Sequence, residues 1–305
     1  IVFTLLIAGL SIVFAGDKKI SGDIHYNYSF SDAEKNAFNI SRAYFTFQKK
    51  ISGKFSYRFQ TDMGSGSVSD YSVFLKNALF NWKTDFGSFT FGLQGMNMFK
   101  VQENNWGYRH IDKSAMDRAK YSSSADMGIG WKKSMGTFTS SILLTNGTGY
   151  KKKEDDGHKK FSLNLLYGSS KLKKGVNAGI SFSYEPEDYD VQGVTSPPLV
   201  KTGSKTVIAG FAGWAGGPIK FGIDAAAYKE VLQSTSSKNL ISTYSTYRLS
   251  KRFAGYARLD VYSDGSVSDM YSILGANYSP EKFLQISPNV RINMPDEGDS
   301  DLLWM

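Results

Sequence analysis

The chain contains no cysteine, which removes disulfide frameworks, thiolate metal sites and thiol nucleophiles together. Histidine is nearly as scarce: His25, His110 and His158 stand far apart, and none has a second ligand at metal-binding spacing. No cofactor and no metal is expected. No Gly-x-Ser-x-Gly elbow is present either, so His110 with Ser114 or Ser122 is only a formal Ser-His pair, the nearest approach to a barrel lipid hydrolase. Long apolar runs are missing after residue 15. Without 18 consecutive apolar residues a membrane-spanning helix is excluded, and insertion into a bilayer has to be through strands.

Proline is sparse at 7 against 30 glycines, while Tyr and Phe reach 18 and 21, a balance that favours one all-β barrel over two globular domains. The net charge of +8 admits nucleic acid, acidic lipid or an anionic solute as partner. Nucleic-acid binders gather Lys and Arg on one face or helix, whereas here they are scattered through the chain, so nucleic acid is disfavoured. Residues 1–15, IVFTLLIAGLSIVFA, read as a partial signal peptide that ends in a small residue before the polar Gly16-Asp17-Lys18-Lys19. The domain expected to remain is 16–305.

From Lys19 onward, segments of about ten residues alternate in polarity. Phe55, Tyr57, Phe59 and Thr61 share one face, and Lys54, Ser56, Arg58, Gln60 and Asp62 share the other. Later stretches repeat the pattern, among them Phe161 to Tyr167, Val176 to Tyr184, Ile219 to Ala225, Phe253 to Tyr262 and Leu284 to Ile292. A soluble sandwich would alternate too. The connections discriminate, because short turns such as Asp85-Phe86-Gly87 and Ser134-Met135-Gly136 take turns along the whole chain with longer polar loops. Outer-membrane barrels have this rhythm, with tight turns at the periplasmic end and loops outside.

The fold expected is therefore a transmembrane antiparallel up-and-down β-barrel of about sixteen strands. The last strand would begin only at Asp301, four residues before Met305, so it is expected to be truncated and the sequence to be a fragment at both ends. A barrel of that size leaves an aqueous channel, and a mean hydropathy of −0.30 fits a wall with only alternate residues in lipid. Tyr28, Phe30, Tyr184, Tyr228, Trp82, Trp131 and Trp214 lie near strand ends, where interfacial aromatic girdles form.

The longest connection, Met96 to Ser124, exceeds the length at which structureless loops become uncommon and usually functional. Its Lys100, Arg109, Lys113, Arg118 and Lys120 outnumber Glu103, Asp112 and Asp117. Folded into the mouth of the barrel, it would form an anion-favouring constriction. Arg42, Arg58, Lys220, Arg248, Arg258 and Arg291 fall on the polar, lumen-lining face, with Asp23, Asp62, Asp126, Asp224 and Asp260 beside them. Solute contact and Arg–Asp scaffolding are equal readings of that surface. The acidic groups Glu185-Glu187-Asp188-Asp190 and Asp296-Glu297-Asp299-Asp301 read as solvated loops before cation sites.

The segments Ser41-Arg42-Ala43-Tyr44-Phe45-Thr46-Phe47, Gly53 to Phe59, Leu75 to Trp82, Phe86 to Gln94 and Trp106-Gly107-Tyr108-Arg109-His110 resemble the phosphate-selective porin O and P family, over roughly Lys19 to Gly149. The resemblance implies an outer-membrane porin, often a homotrimer embedded in outer-membrane lipid, that passes small anionic or neutral solutes. The family's preference for phosphate comes from a lysine-rich constriction. Here the third loop mixes Lys and Arg with three carboxylates, so general anion bias is the safer transfer. A structural or adhesive barrel with a plugged lumen is the alternative.

Overall fold

The computed structural model describes residues 5–7, 18–31, 36–65, 71–154, 156–191, 200–265, 267–296 and 301–304. Sixteen antiparallel strands run in chain order. They are β1 (Lys18–Ser31), β2 (Ala37–Lys50), β3 (Phe55–Ser65), β4 (Tyr71–Thr84), β5 (Gly87–Gly95), β6 (Ala125–Met135), β7 (Phe138–Thr145) and β8 (Lys160–Tyr167). The second half is β9 (Gly175–Asp190), β10 (Val200–Gly216), β11 (Ile219–Val231), β12 (Thr235–Arg248), β13 (Phe253–Ser263), β14 (Ser268–Glu281), β15 (Asn289–Met294) and β16 (Asp301–Trp304). Each pairs with its sequence neighbours, and the ring closes where Leu303 and Trp304 pair with Ser31 and Phe30. The fold is a transmembrane up-and-down β-barrel, and closure leaves no open edge among these strands.

The wall is turned inside out relative to a soluble protein. Phe45, Phe59, Ile129, Ile180, Phe221 and Leu259 are exposed on the outside, while Thr46, Asp62, Asp126, Ser181, Asp224 and Arg258 are buried on the inside. Polar groups removed from water need partners, whereas exposed hydrocarbon side chains need an apolar solvent, and a bilayer around a water-filled ring meets both conditions. The period-2 pattern of the sequence is thus the barrel wall itself.

Two bulges in the first four strands shift the alternation. Ser41 is the extra residue where His25 pairs with Arg42 but Tyr26 pairs with Ile40, and Lys76 is the extra residue where Gln60 pairs with Asn77 but Thr61 pairs with Leu75. A bulge re-aims side chains locally, and here it brings both cations toward the lumen. The expected strand from Leu284 to Ile292 is broken: Leu284–Ile286 forms a separate short strand, and β15 starts only after Ser287-Pro288. Proline lacks the N–H that a ladder needs, which accounts for the interruption. Of the expected leader, only Leu5–Ile7 is described. It pairs as a short strand with Leu284–Ile286 and with Ile24 and His25, and the rest of 1–15 lies outside the described residues.

Tyr228 departs from its expected place in an outer girdle. It stacks on Tyr121 with ring centroids 5.2 Å apart, inside the lumen, because its neighbours across the ladder include the inward Val207. Phe30, Trp82, Tyr184 and Trp214 do face outward.

Candidate functional site

The stretch between β5 and β6 is not structureless. It forms α1 (Lys100–Trp106) and α2 (Ala115–Arg118), helices too short for a periodic signal. α1 ends on Gly107 at φ 80°, whose N–H donates to the Glu103 carbonyl. The positive φ is what calls for glycine, since a side chain there would meet only the movable Lys220 Nζ closely, at 2.7 Å.

This loop lies inside the barrel. Met98, Phe99, Ala115, Met116 and Tyr121 pack on the inward Val207, Ala209, Ala226 and Leu240 of β10 to β12. Trp106, Tyr108 and Ile111 pack on Tyr244, Tyr256, Tyr271 and Ile273 of β12 to β14. Polar ties follow the same wall. Asn97 donates to the Ser141 carbonyl at 2.9 Å, and Asn105 and Asn177 exchange reciprocal amide bonds at 2.9 Å. The Asn pair exists because Gly213 leaves room for it: a Cβ on Gly213 would be 2.8 Å from both amides.

Three wall cations grip loop main-chain oxygens. Lys220 donates to the Trp106 carbonyl at 3.4 Å, Arg291 to that of Ile111 at 2.7 Å, and Arg258 to that of Lys113. Arg258 also forks onto Asp260 at 2.8 and 2.5 Å, both side chains being almost wholly buried. Removing one partner of such a pair costs about 3–5 kcal/mol because the other charge is stranded. Arg258 is therefore a strut. Beside it, Asp112 accepts from the Tyr271 hydroxyl at 3.0 Å and pairs with Arg118 at 3.4 Å, and the Arg118 guanidinium stands 3.4 Å from the Tyr271 ring centroid. Burial works to raise the Asp112 pKa, but Arg291, Arg258 and Arg118 outweigh it and hold the carboxyl below its usual value.

With the loop fixed to the wall of β7 to β15, open space is left on the other side. There a cavity of about 210 Å³ lies between the loop tip and the first two strands, lined by His25, Asn27, Ser41, Arg42, Arg109, His110, Ile111, Asp112, Lys113 and Arg291. Four cations line it against one carboxylate, and that carboxylate is already engaged. The balancing acids sit behind: Asp62 is fully buried under Arg42 at 2.7 Å, and Glu103 and Asp117 lie under Arg109 at 3.1 and 3.7 Å. A solute in the cavity meets cations first and carboxylates one layer back, which makes the near field positive. Burial, with Arg42 and Arg109 adding to it, lowers the Lys113 pKa against the pull of Asp117 and Asp112. His110 donates to or accepts from the Ser287 hydroxyl at 3.0 Å and stands edge-on to His25 at 6.4 Å. Burial and the neighbouring His25 push its pKa down to about 3, so it is neutral at pH 7.

The barrel is similar to bacterial outer-membrane porins. OmpT of Vibrio cholerae in its trimer form superposes at a TM-score of 0.72 with 12% identity, over 95% of this chain and 98% of that one. The anion-selective porin from Comamonas acidovorans gives 0.62 and 11% over 100% and 96%, and the outer-membrane channel DcaP of Acinetobacter baumannii gives 0.56 and 12% over 99% and 93%. No protein-family model and no curated protein sequence matches the chain. At these identities the likeness is one of fold.

The expected constriction residues separate on this wall. Arg109 and Lys113 line the cavity; Lys100 pairs with Glu103 on α1, Arg118 is turned onto Asp112 and Tyr271, and Lys120 is exposed at φ 59°, all three outside the cavity lining. Of the expected lumen residues, Arg42 and Arg291 line the cavity, while Lys220 and Arg258 serve as struts. Arg58 lies inside β3 with its Nε lacking a partner among the described residues, and Arg248 is exposed at the tight-turn end of β12. The formal pairing of His110 with Ser114 or Ser122 is not formed, since His110 meets Ser287 and Ser122 bonds the Ser123 carbonyl. The acidic Glu185, Glu187 and Asp188 hold Lys160, Lys205 and His158, and residues 297–300 of the second acidic group lie outside the described residues.

Lys76 escaped the sequence reading. It bonds Ser124 and stands 3.7 Å from the Tyr150 ring centroid, tying β4 to the end of the loop. Its signal was the doubled polar step Lys76-Asn77, which breaks alternation where the bulge lies. His25 and Asn27, also missed, carried an ordinary alternating pattern and no further mark.

Proposed function

We propose that the protein is an outer-membrane porin through which small hydrophilic solutes diffuse passively, with anions favoured. The observation that carries this reading is the cation-lined cavity beside a loop fixed inside a closed barrel. Membership of the phosphate-selective porin group, and phosphate as one of the solutes, extend the proposal; Arg42, Arg109, Lys113 and Arg291 supply forked and point donors for an oxyanion. The trimer form of the similar OmpT supports a homotrimer. Zero-current potentials in planar bilayers under a KCl gradient test the proposal: chloride selectivity is expected, and cation selectivity or absence of conductance overturns it. The dense packing of the loop favours a second reading, a plugged structural barrel, which predicts that folded protein in liposomes admits no small sugars.

A further inference from the structure

The two ends of the barrel treat their charges differently. At the long-loop end cations stand among carboxylates that hold several of them: Lys159 with Glu154 at 3.1 Å, Lys160 with Glu185 at 2.7 Å, His158 with Asp188 at 2.8 Å, and Lys205 with Glu187 and Glu230, while Lys152, Lys153, Lys201, Lys229 and Lys238 stand there without an ion pair among the described residues. At the tight-turn end nearly all the charge is positive. Lys50 and Lys54 flank the first turn, Lys83 the second, and Lys132 and Lys133 the third. Lys171, Lys173 and Lys174 occupy the fourth, Lys251 and Arg252 the sixth, and Lys282 the seventh. None of these takes part in an ion pair among the described residues, and only Asp85 and Glu281 stand among them as acids.

A second observation accompanies the first. Five of these turns also expose a large apolar side chain next to the cation: Ile51, Phe86, Met135, Leu249 and Phe283, between 55% and 77% exposed. Phe86 is fixed there, since its carbonyl accepts the Trp131 indole N–H at 3.1 Å. A turn that met only periplasmic water, or a hydrophilic cell-wall polymer, would gain nothing from such side chains. An apolar tip beside a lysine or arginine is instead the composition of residues at a lipid headgroup layer, with the hydrocarbon dipping toward the acyl chains and the cation left at the phosphates. The pattern recurs around the circumference, as an annulus of lipid does.

We infer that the tight-turn rim is a binding surface for anionic phospholipid headgroups of the periplasmic leaflet, with the cations of the turns holding the phosphates and Ile51, Phe86, Met135, Leu249 and Phe283 seated among the chain ends. The inference rests on the barrel and its turns and is independent of what the lumen conducts.

The outward Trp82 and Trp214, and Trp131 two residues along the same face from the outward Ile129, lie at this same end and report on it. The full chain is folded into phosphatidylcholine vesicles carrying either brominated phosphatidylglycerol or brominated phosphatidylcholine, and quenching of tryptophan fluorescence gives the relative association of the two lipids. A cation near the surface attracts an anionic lipid by ~1 kcal/mol, so phosphatidylglycerol is expected to associate about fivefold better at low salt. The preference should fall close to unity in about 0.5 M KCl, which shortens the screening length below the headgroup spacing. It should also fall in a Lys54→Gln, Lys83→Gln, Lys133→Gln, Lys282→Gln variant; the salt titration on the unmodified protein decides the matter should that variant fail to fold. Equal quenching by both lipids at low salt overturns the inference. So does a preference that survives both salt and substitution, or a salt-sensitive sedimentation with cell-wall sacculi in the absence of any lipid preference.

Discussion

Lys113→Glu is the cleanest probe of the cavity's field, because Lys113 lines it without an ion-pair partner among the described residues, whereas removing Arg109 would leave Asp117 without its cation and Glu103 with Lys100 alone. A sphere of the cavity's 210 Å³ has a radius of about 4 Å, which puts a lining charge about 6 Å from a solute at its centre. In a water-filled site each unit charge then contributes ~0.7 kcal/mol, reduced to ~0.4 kcal/mol by screening at 0.1 M salt. The substitution changes the local charge by two, so a monovalent anion loses ~0.8 kcal/mol and a cation gains as much. Occupancy by chloride should fall about fourfold and that by potassium rise about fourfold, a change of roughly fifteenfold in their ratio. Reversal potentials across a KCl gradient near 0.1 M read this directly. Near 1 M, where the screening length is about 3 Å, the same variant should shift the ratio less than about threefold. Lys120→Glu, outside the cavity, is the matched control. A Lys113→Glu channel with an unmoved reversal potential at low salt, or a shift equal to that of the control, would refute the placement of Lys113 in the conducting path.

Gly213→Ala should drive a methyl into the Asn105–Asn177 pair and cost about 1–3 kcal/mol through unsatisfied buried amides, seen as a lower unfolding midpoint and noisier single-channel currents. Asp112→Asn removes the charge that Arg118 and Tyr271 share, and loop closures in bilayer recordings should become more frequent; an unchanged record would show that the latch is dispensable. Because the folded Asp112 pKa is depressed below 3.8, its contribution is fully present above that value and is lost only as pH falls through the lower, folded one. Bilayer recordings of the unmodified barrel should therefore be alike at pH 7 and pH 4.5 as far as this latch is concerned. His110 responds in the same direction but over a higher window: with a folded pKa near 3 against 6.5 unfolded, stability is greatest above pH 6.5 and falls as pH drops below it, by about 2 kcal/mol at pH 5. His110→Gln should flatten that slope in denaturation curves.

Much of the wall was legible in the sequence because strand geometry has a period of two and a bilayer enforces it at every position. Phe55 through Asp62 and Phe253 through Tyr262 needed nothing beyond that rule. Where the rule slips by a residue, as at Ser41 and Lys76, the sequence shows only two polar residues in succession, and the face of each has to be seen in the ladder. The loop's inward fold was an expectation from length and charge. Which of its cations meet the cavity was not readable, because Lys100, Arg118 and Lys120 are diverted by partners or backbone turns that depend on contacts within and across the lumen. The division of the wall cations into struts and lining residues was hidden for the same reason: Arg258 and Arg291 both donate to the loop, yet only Arg291 also reaches the cavity.

The struts end on carbonyl oxygens, at Trp106, Ile111 and Lys113, and a carbonyl is the same acceptor whatever residue carries it. Lys113 thus contributes its backbone to the anchorage and its ammonium to the cavity, two jobs that mutate independently. A randomised library at position 113 should consequently return many folded barrels that differ in what they admit, so that a new filter can be selected without redesigning the frame that holds it.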